Sequence, residues 1–248
     1  FRSVIQGDPG TGKTIVAVYL MKLLVDIAKS APDEQLDSDS MFSDFFQQGF
    51  REQLTDFTIG LVIPQQSLRK SIEKVFAKTP GLSKSMVLSP FDAGASKEHY
   101  DLLIVDESHR LGQRSNQPSA AQNKKFTDIN TALFGNDDLS WTQLDWIKAK
   151  STHQLYLLDS AQSVKPADLP AEVTMALVEQ ARSANSFFRL VSQMRVSGGT
   201  DYIEFIGRIF AGTQQGPETF GNYELRFFDD IAEMRQAIFE KDKEVGLS

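Results

Sequence analysis

With 248 residues, 41% of them hydrophobic, the chain is long enough for one large α/β domain or for one domain and part of another. It has no cysteine, which excludes disulfides and thiolate metal sites, and His99, His109 and His153 lack the spacing of a structural zinc site. A net charge of −7 does not advertise nucleic-acid binding, and no apolar run approaches membrane-spanning length. Nothing resembles a signal peptide; Phe1 opens directly on the first predicted strand, as in a piece cut from a longer chain. A soluble, intracellular (cytoplasmic) protein with no membrane contact is the expectation.

In chain order, Ser3–Gln6 is a short extended run, followed by Gly7-Asp8-Pro9-Gly10-Thr11-Gly12-Lys13-Thr14. This is G-x-x-x-x-G-K-T, the phosphate-binding loop (Walker A) of P-loop NTPases. Thr14 to Lys29 then carries no Gly or Pro and predicts a helix. A strand feeding a Gly-rich loop that opens a helix is the context the motif needs, with backbone N–H groups turned inward at the positive end of a helix dipole. ATP binding is therefore expected at Gly7, Pro9, Gly10, Thr11, Gly12, Lys13 and Thr14. Lys13 would reach the β/γ-phosphates, and the Thr14 hydroxyl would hold Mg²⁺.

The Thr14–Lys29 helix is apolar nearly all round, which predicts a helix packed on a sheet and covered by other elements. Residues 30–57 look inserted: within 33–44, Asp33, Glu34, Asp37, Asp39 and Asp44 come without a basic residue, and Phe42, Phe45, Phe46 and Phe50 accompany or follow them. The stretch 33–50 is a candidate docking surface for a protein partner. Gly60–Ile63 predicts a buried parallel strand stopped by Pro64, and Ser67–Lys78 an amphipathic helix. Arg69, Lys70, Lys74, Lys78 and Lys84 face Glu73 alone between residues 65 and 85, a local basic stripe able to touch phosphates. Ser85–Leu88 predicts a short strand, Leu102–Val105 a strongly apolar one, and residues 112–140 a polar loop before a helix at Trp141–Lys148. Leu155–Leu158 and Phe187–Val191 read as further strands, with a short helix within 168–184 between them. Asp201–Phe210 reads as a helix, Tyr223–Phe228 as a last strand and Ile231–Lys241 as a last helix. Strand–helix alternation predicts a parallel α/β sheet.

Ligands of an open parallel sheet sit at the carboxyl ends of its strands. Asp106, after Val105, is placed like a Walker B aspartate holding Mg²⁺ beside Thr14. Glu107 is suited to orient or deprotonate the attacking water. Taken together, these segments resemble the superfamily 1 helicases, and among them the Schlafen-like (Schlafen group 3-like) DNA/RNA helicase domains. Gly7–Thr14 looks like helicase motif I, and Pro64-Gln65-Gln66-Ser67-Leu68 is placed like motif Ia. Asp106–His109 resembles the D-E-A-H form of motif II with Ser108 in place of Ala. Asp159–Val164 resembles the D-x-x-Q-S of motif III, with Leu158 replacing a common Gly before it. Gln193-Met194-Arg195 is similar to the Q-x-R of motif IV.

The resemblance implies that Gln162 contacts the γ-phosphate and that Arg195 is an arginine finger. It also implies that Gln65 and Ser67 touch the sugar-phosphate backbone of single-stranded DNA or RNA. The expected fold is a RecA-like parallel sheet flanked by helices over residues 1–185, with insertions near 30–57 and 112–147. The start of a second RecA-like lobe is expected over 186–248, since nothing after Arg195 looks like motifs V and VI. The expected activity is Mg²⁺-dependent ATP hydrolysis by a motor on single-stranded nucleic acid. The alternatives are an ATP-dependent switch that binds a protein partner without translocating, and a nucleotide kinase, against which the Asp-Glu pair and later D-x-x-Q argue.

Overall fold

The computed structural model describes residues 1–30, 46, 48–114, 119–159, 166–192, 194 and 199–246. The chain divides into two compact units, Phe1–Val191 and Ser192–Ser248. In chain order the first holds β1 (Arg2–Gly7), α1 (Lys13–Lys29), α2 (Gln48–Gln53), β2 (Ile59–Val62), α3 (Gln66–Phe76), β3 (Val87–Leu88) and α4 (Pro90–Ala95). It continues with β4 (Tyr100–Val105), a 3-10 turn (Ser108–Arg110), α5 (Ala120–Phe134), α6 (Gln143–Lys150), β5 (Ser151–Leu158), α7 (Ala171–Ser183) and β6 (Phe187–Leu190). The six strands form one sheet in the order β3-β2-β4-β5-β1-β6. Every neighbouring pair is parallel. This is the expected α/β, RecA-like P-loop fold.

Alternation along the strands sends side chains to two cores, one on each face. Val4, Leu103, Val105, Tyr156 and Leu158 pack with α4, α6 and α7. Ile5, Ile104 and Leu157, one residue out of phase, pack with α1 and α3 through Ala17, Met21, Val25, Ile72 and Phe76. The Ala17–Met21–Val25 stripe of α1 is buried in this core and Val18, Leu20 and Leu24 pack partly buried against it, while Ile15 and Tyr19 stay exposed, against the expectation of a helix covered by other elements. Because β6 pairs with β1 through Val4↔Phe187 to Gly7↔Leu190, the first unit runs to Val191, past the boundary read at 185.

Two other expectations differ. The strand read at Ser85–Leu88 is confined to Val87–Leu88, with Ser85 and Met86 in a 3-10 turn before it, and Pro90 is the first residue of α4. Ser89 caps that helix by accepting from Asp92 N (3.1 Å), while Ser89 N donates to the Asp92 carboxylate (3.0 Å). The supposed loop at 112–140 contains α5, which buries a narrow face of Phe126, Ile129 and Asn130 against Trp146 and Phe91. Arg114 anchors this region. Its guanidinium forks onto Asp137 (Nε to Oδ1 2.9 Å, Nη2 to Oδ2 2.9 Å) and also donates to Asn123 and Thr127. Asn130 donates to the same carboxylate and accepts from Trp146 Nε1 at 2.7 Å.

These donors, Arg114 first, lower the Asp137 pKa to about 2. A carboxyl depressed in the folded state stabilises the fold above its unfolded pKa of about 3.9, and the contribution fades as pH falls toward the folded value. Asp137→Asn should therefore cost about 1–2 kcal/mol at pH 7. That gap should close between about pH 4 and pH 2. Urea titrations of both proteins across this range measure it.

In the second unit, α8 (Gly199–Phe210) and α9 (Ile231–Val245) are joined by an irregular segment. Tyr202, Phe205, Phe220 and Tyr223 form an edge-to-face aromatic cluster under which Phe205 and Phe220 are buried. The strand read at Tyr223–Phe228 does not form; a single bridge, Phe220↔Tyr223, stands in its place. A strand needs a neighbour to hydrogen-bond, and the described residues of this unit offer no sheet.

Candidate functional site

The carboxyl ends of β1, β2, β4 and β5 converge because all strands run the same way, and most of the predicted site residues follow those ends. After β1 the chain turns through Gly10 and Gly12, at φ 88° and 86°, a left-handed conformation that a side chain would strain. Gly7 is needed for another reason: a Cβ there would lie 2.4 Å from Thr11 Oγ1 and 3.1 Å from Leu190 Cβ. Thr11 in turn donates its hydroxyl to Asp8 O at 2.8 Å, closing the loop on itself. Gly12 is the N-cap of α1, so the loop ends where the helix exposes its first N–H groups. Pro9 lies at the exposed tip of the loop.

Lys13 is buried, and its Nζ donates to Gly7 O (2.6 Å) and Asp8 O (3.0 Å). The Asp159 carboxylate, at the end of β5, lies 3.7 Å from the same ammonium. Asp159 carried no assigned role in the sequence. It stands directly after an apolar strand and opens the segment that resembles motif III, but its pairing with Lys13 spans most of the first unit. Beside Lys13, Thr14 donates its hydroxyl to Asp106 Oδ2 at 2.6 Å. Asp106 is fully buried at the end of β4 and also accepts from Glu107 N at 3.0 Å. Burial raises its pKa above the ordinary carboxylate value, opposed by the Thr14 and Glu107 hydrogen bonds and by the charges of Lys13 and His109.

Glu107 has left-handed backbone (φ 51°, ψ 45°) and opens the 3-10 turn Ser108–Arg110. Ser108, at the position where Ala was expected, is buried and donates to Val105 O at 2.8 Å, so its hydroxyl is satisfied locally. Gln65 is the N-cap of α3, at the end of β2, and donates to Ser67 Oγ at 3.1 Å; both are exposed. Lys70, Lys74 and Lys78 follow at four-residue spacing and are exposed, whereas Arg69 is tied to Ile63 O at 3.0 Å. Gln162 and Arg195 lie outside the described residues.

The arrangement suits a triphosphate and a hard cation. The loop has no room for a side chain at Gly7, its ammonium is held at the loop's edge, and a hydroxyl and a carboxylate oxygen sit in contact beside it. Thr14 and Asp106 are the residues that would hold Mg²⁺. Among the described residues no helix is long and apolar enough to cross a membrane. No curated protein matches the chain. Residues 2–248, nearly the whole sequence, match the family described as Schlafen group 3, DNA/RNA helicase domain. The parallel sheet and the residues it gathers at its carboxyl edge thus fall within one lineage: the chain belongs to the Schlafen group 3 DNA/RNA helicase domain family.

Proposed function

We propose that this domain hydrolyses ATP with Mg²⁺ and acts on single-stranded DNA or RNA. The observation that carries the reading is the contact between Thr14 Oγ1 and Asp106 Oδ2, 2.6 Å, beside the buried ammonium of Lys13. Two residues far apart in sequence meet beside the loop, which supports the reading. When bound, Mg²⁺ would neutralise phosphate charge and polarise the bond to be broken. Lys13 would leave its loop carbonyls for the β/γ-phosphate oxygens. Glu107 would orient the attacking water and accept its proton, and the bond between the γ-phosphorus and the β/γ-bridging oxygen would break to release ADP and phosphate. Gln162 would sense the γ-phosphate, and Arg195 would take up charge on the phosphoryl group in transit. Gln65 and Ser67, with Lys70, Lys74 and Lys78 behind them, would meet the nucleic-acid backbone.

Two measurements test this. Glu107→Gln should bind ATP normally but hydrolyse it about 10²–10⁴-fold more slowly, so that nucleotide stays trapped; hydrolysis at the wild-type rate removes Glu107 from this role. Wild-type turnover should rise on adding single-stranded oligonucleotide, and the effect should fall steeply as salt is raised. ATP turnover indifferent to nucleic acid at low salt rejects the motor reading and leaves an ATPase alone.

A further inference from the structure

Just past β2, the carbonyl of Ile63 loses its place in the sheet because of a proline beside the neighbouring strand. Strands β2 and β3 run parallel with Leu61↔Val87 and Val62↔Leu88 in register, and Ile63 N extends the ladder by donating to Leu88 O at 2.9 Å. The next donor in that alternation would be the N–H of residue 90, and Pro90 has none. Ile63 is fully buried, so its carbonyl needs another donor. Arg69 supplies it from α3: Nη1 donates to Ile63 O at 3.0 Å. A side chain thus replaces a backbone bond at the carboxyl edge of the sheet. The replacement falls one residue beyond Val62, whose own carbonyl accepts from Asp106 N at 2.9 Å.

That bond uses one of the five N–H groups of the guanidinium. Among the described residues Arg69 forms no ion pair, not even with Glu73 four residues further along α3. Arg69 is half-buried, so an unpaired positive charge is fixed at one nitrogen while it stays within reach of solvent. Its backbone N–H bonds to Gln65 O at 3.0 Å, which sets it one helical turn after Gln65, with the exposed Lys70, Lys74 and Lys78 following. Guanidinium forks match the oxygens of a phosphate, and one already anchored loses less freedom on binding than a free lysine does.

We propose that Arg69 binds a backbone phosphate of the single-stranded nucleic acid, with Ile63 O holding its guanidinium in the binding orientation. The inference rests on the reading of α3 as part of the nucleic-acid face. It extends that face to the end of β2, beside the strand that carries Asp106.

The test measures binding of fluorescently labelled oligo(dT) and oligo(U) to the full chain across a salt series. Arg69→Met keeps the apolar stem and removes every donor. It should weaken binding about tenfold or more at low salt. It should also reduce the slope of log Kd against log salt by about 0.7, the share of one phosphate contact on a single strand. Loss of the bond to Ile63 O should lower Tm as well. Adding Pro90→Ala to Arg69→Met separates the two effects, because the new backbone N–H is offered to Ile63 O. Tm should then return toward the wild-type value, while affinity and slope stay where Arg69→Met left them. The inference is overturned if the salt slope of Arg69→Met is that of the wild type, or if Pro90→Ala restores affinity together with Tm. A Tm that Pro90→Ala fails to restore overturns Ile63 O as the anchor. A wild-type chain that binds neither oligomer at low salt would overturn the nucleic-acid reading and this inference with it. Wild-type binding that Arg69→Met leaves unchanged overturns this inference alone.

Discussion

Lys13→Ala is expected to hydrolyse ATP at least about a hundredfold more slowly than the wild type, with weaker nucleotide binding besides. The ammonium is held by Gly7 O and Asp8 O at the start of the loop, with 6% of its side chain exposed. Alanine removes both the positive charge and the stem that brings it there. It also leaves the Asp159 carboxylate, now 3.7 Å from a cation, facing the same space without it. A negative charge at that point repels a triphosphate, so affinity falls as well as turnover. The two effects separate in the double variant. Lys13→Ala with Asp159→Asn should regain part of the lost nucleotide affinity, measured by calorimetric titration, and none of the lost turnover. Normal turnover in Lys13→Ala rejects the phosphate-loop assignment. Unchanged affinity on adding Asp159→Asn rejects the role given to Asp159.

The glycine turn between β1 and α1 and the apolar strands were legible because their signals are local. The glycines of G-x-x-x-x-G-K-T fall within eight residues, and Gly10 and Gly12 occupy the left-handed region that a side chain would strain. Leu102–Val105 and Leu155–Leu158 are short apolar runs whose burial on both faces leaves little alternative to a central parallel strand. What escaped was set by distant partners. Helix α5 shows only Phe126, Ile129 and Asn130 to the interior, too narrow a stripe to stand out from its polar surroundings. It is held by Arg114 and Asp137, which flank it, and by Trp146 on α6. The Lys13–Asp159 pair likewise depends on β1 and β5 lying side by side, which no short window of sequence contains. The opposite error, a strand at Tyr223–Phe228, came from residues with the right local preference and no neighbouring strand.

Asp106→Asn should give the opposite pairing of effects: a more stable protein that no longer turns over ATP. Asp106 is fully buried, and burial lifts its pKa despite the bonds from Thr14 and Glu107 N. A carboxyl whose folded pKa lies above its unfolded value burdens the fold once it ionises. The cost is absent below the unfolded value of about 3.9 and grows as pH rises through the raised one. Asparagine removes the charge and keeps the bonding, because its Oδ1 can accept from Glu107 N while its Nδ2 donates to Thr14 Oγ1. Each kcal/mol gained would raise Tm by about 2–4 °C for a chain of this size. The gain should vanish as pH is lowered toward 4, where the wild-type carboxyl takes up its proton. The same substitution removes the anionic oxygen that would hold Mg²⁺, so turnover should fall at least about a hundredfold. Wild-type protein should gain thermal stability from ATP with Mg²⁺ by mass action, and the variant should gain little. Scanning calorimetry of both proteins at pH 7 and pH 4, with and without Mg²⁺-ATP, reads all of these at once. A variant less stable than the wild type at pH 7 would mean that the buried charge is a net support, held up by Lys13 and Thr14. A variant still stabilised by Mg²⁺-ATP as strongly as the wild type would remove Asp106 from the metal site.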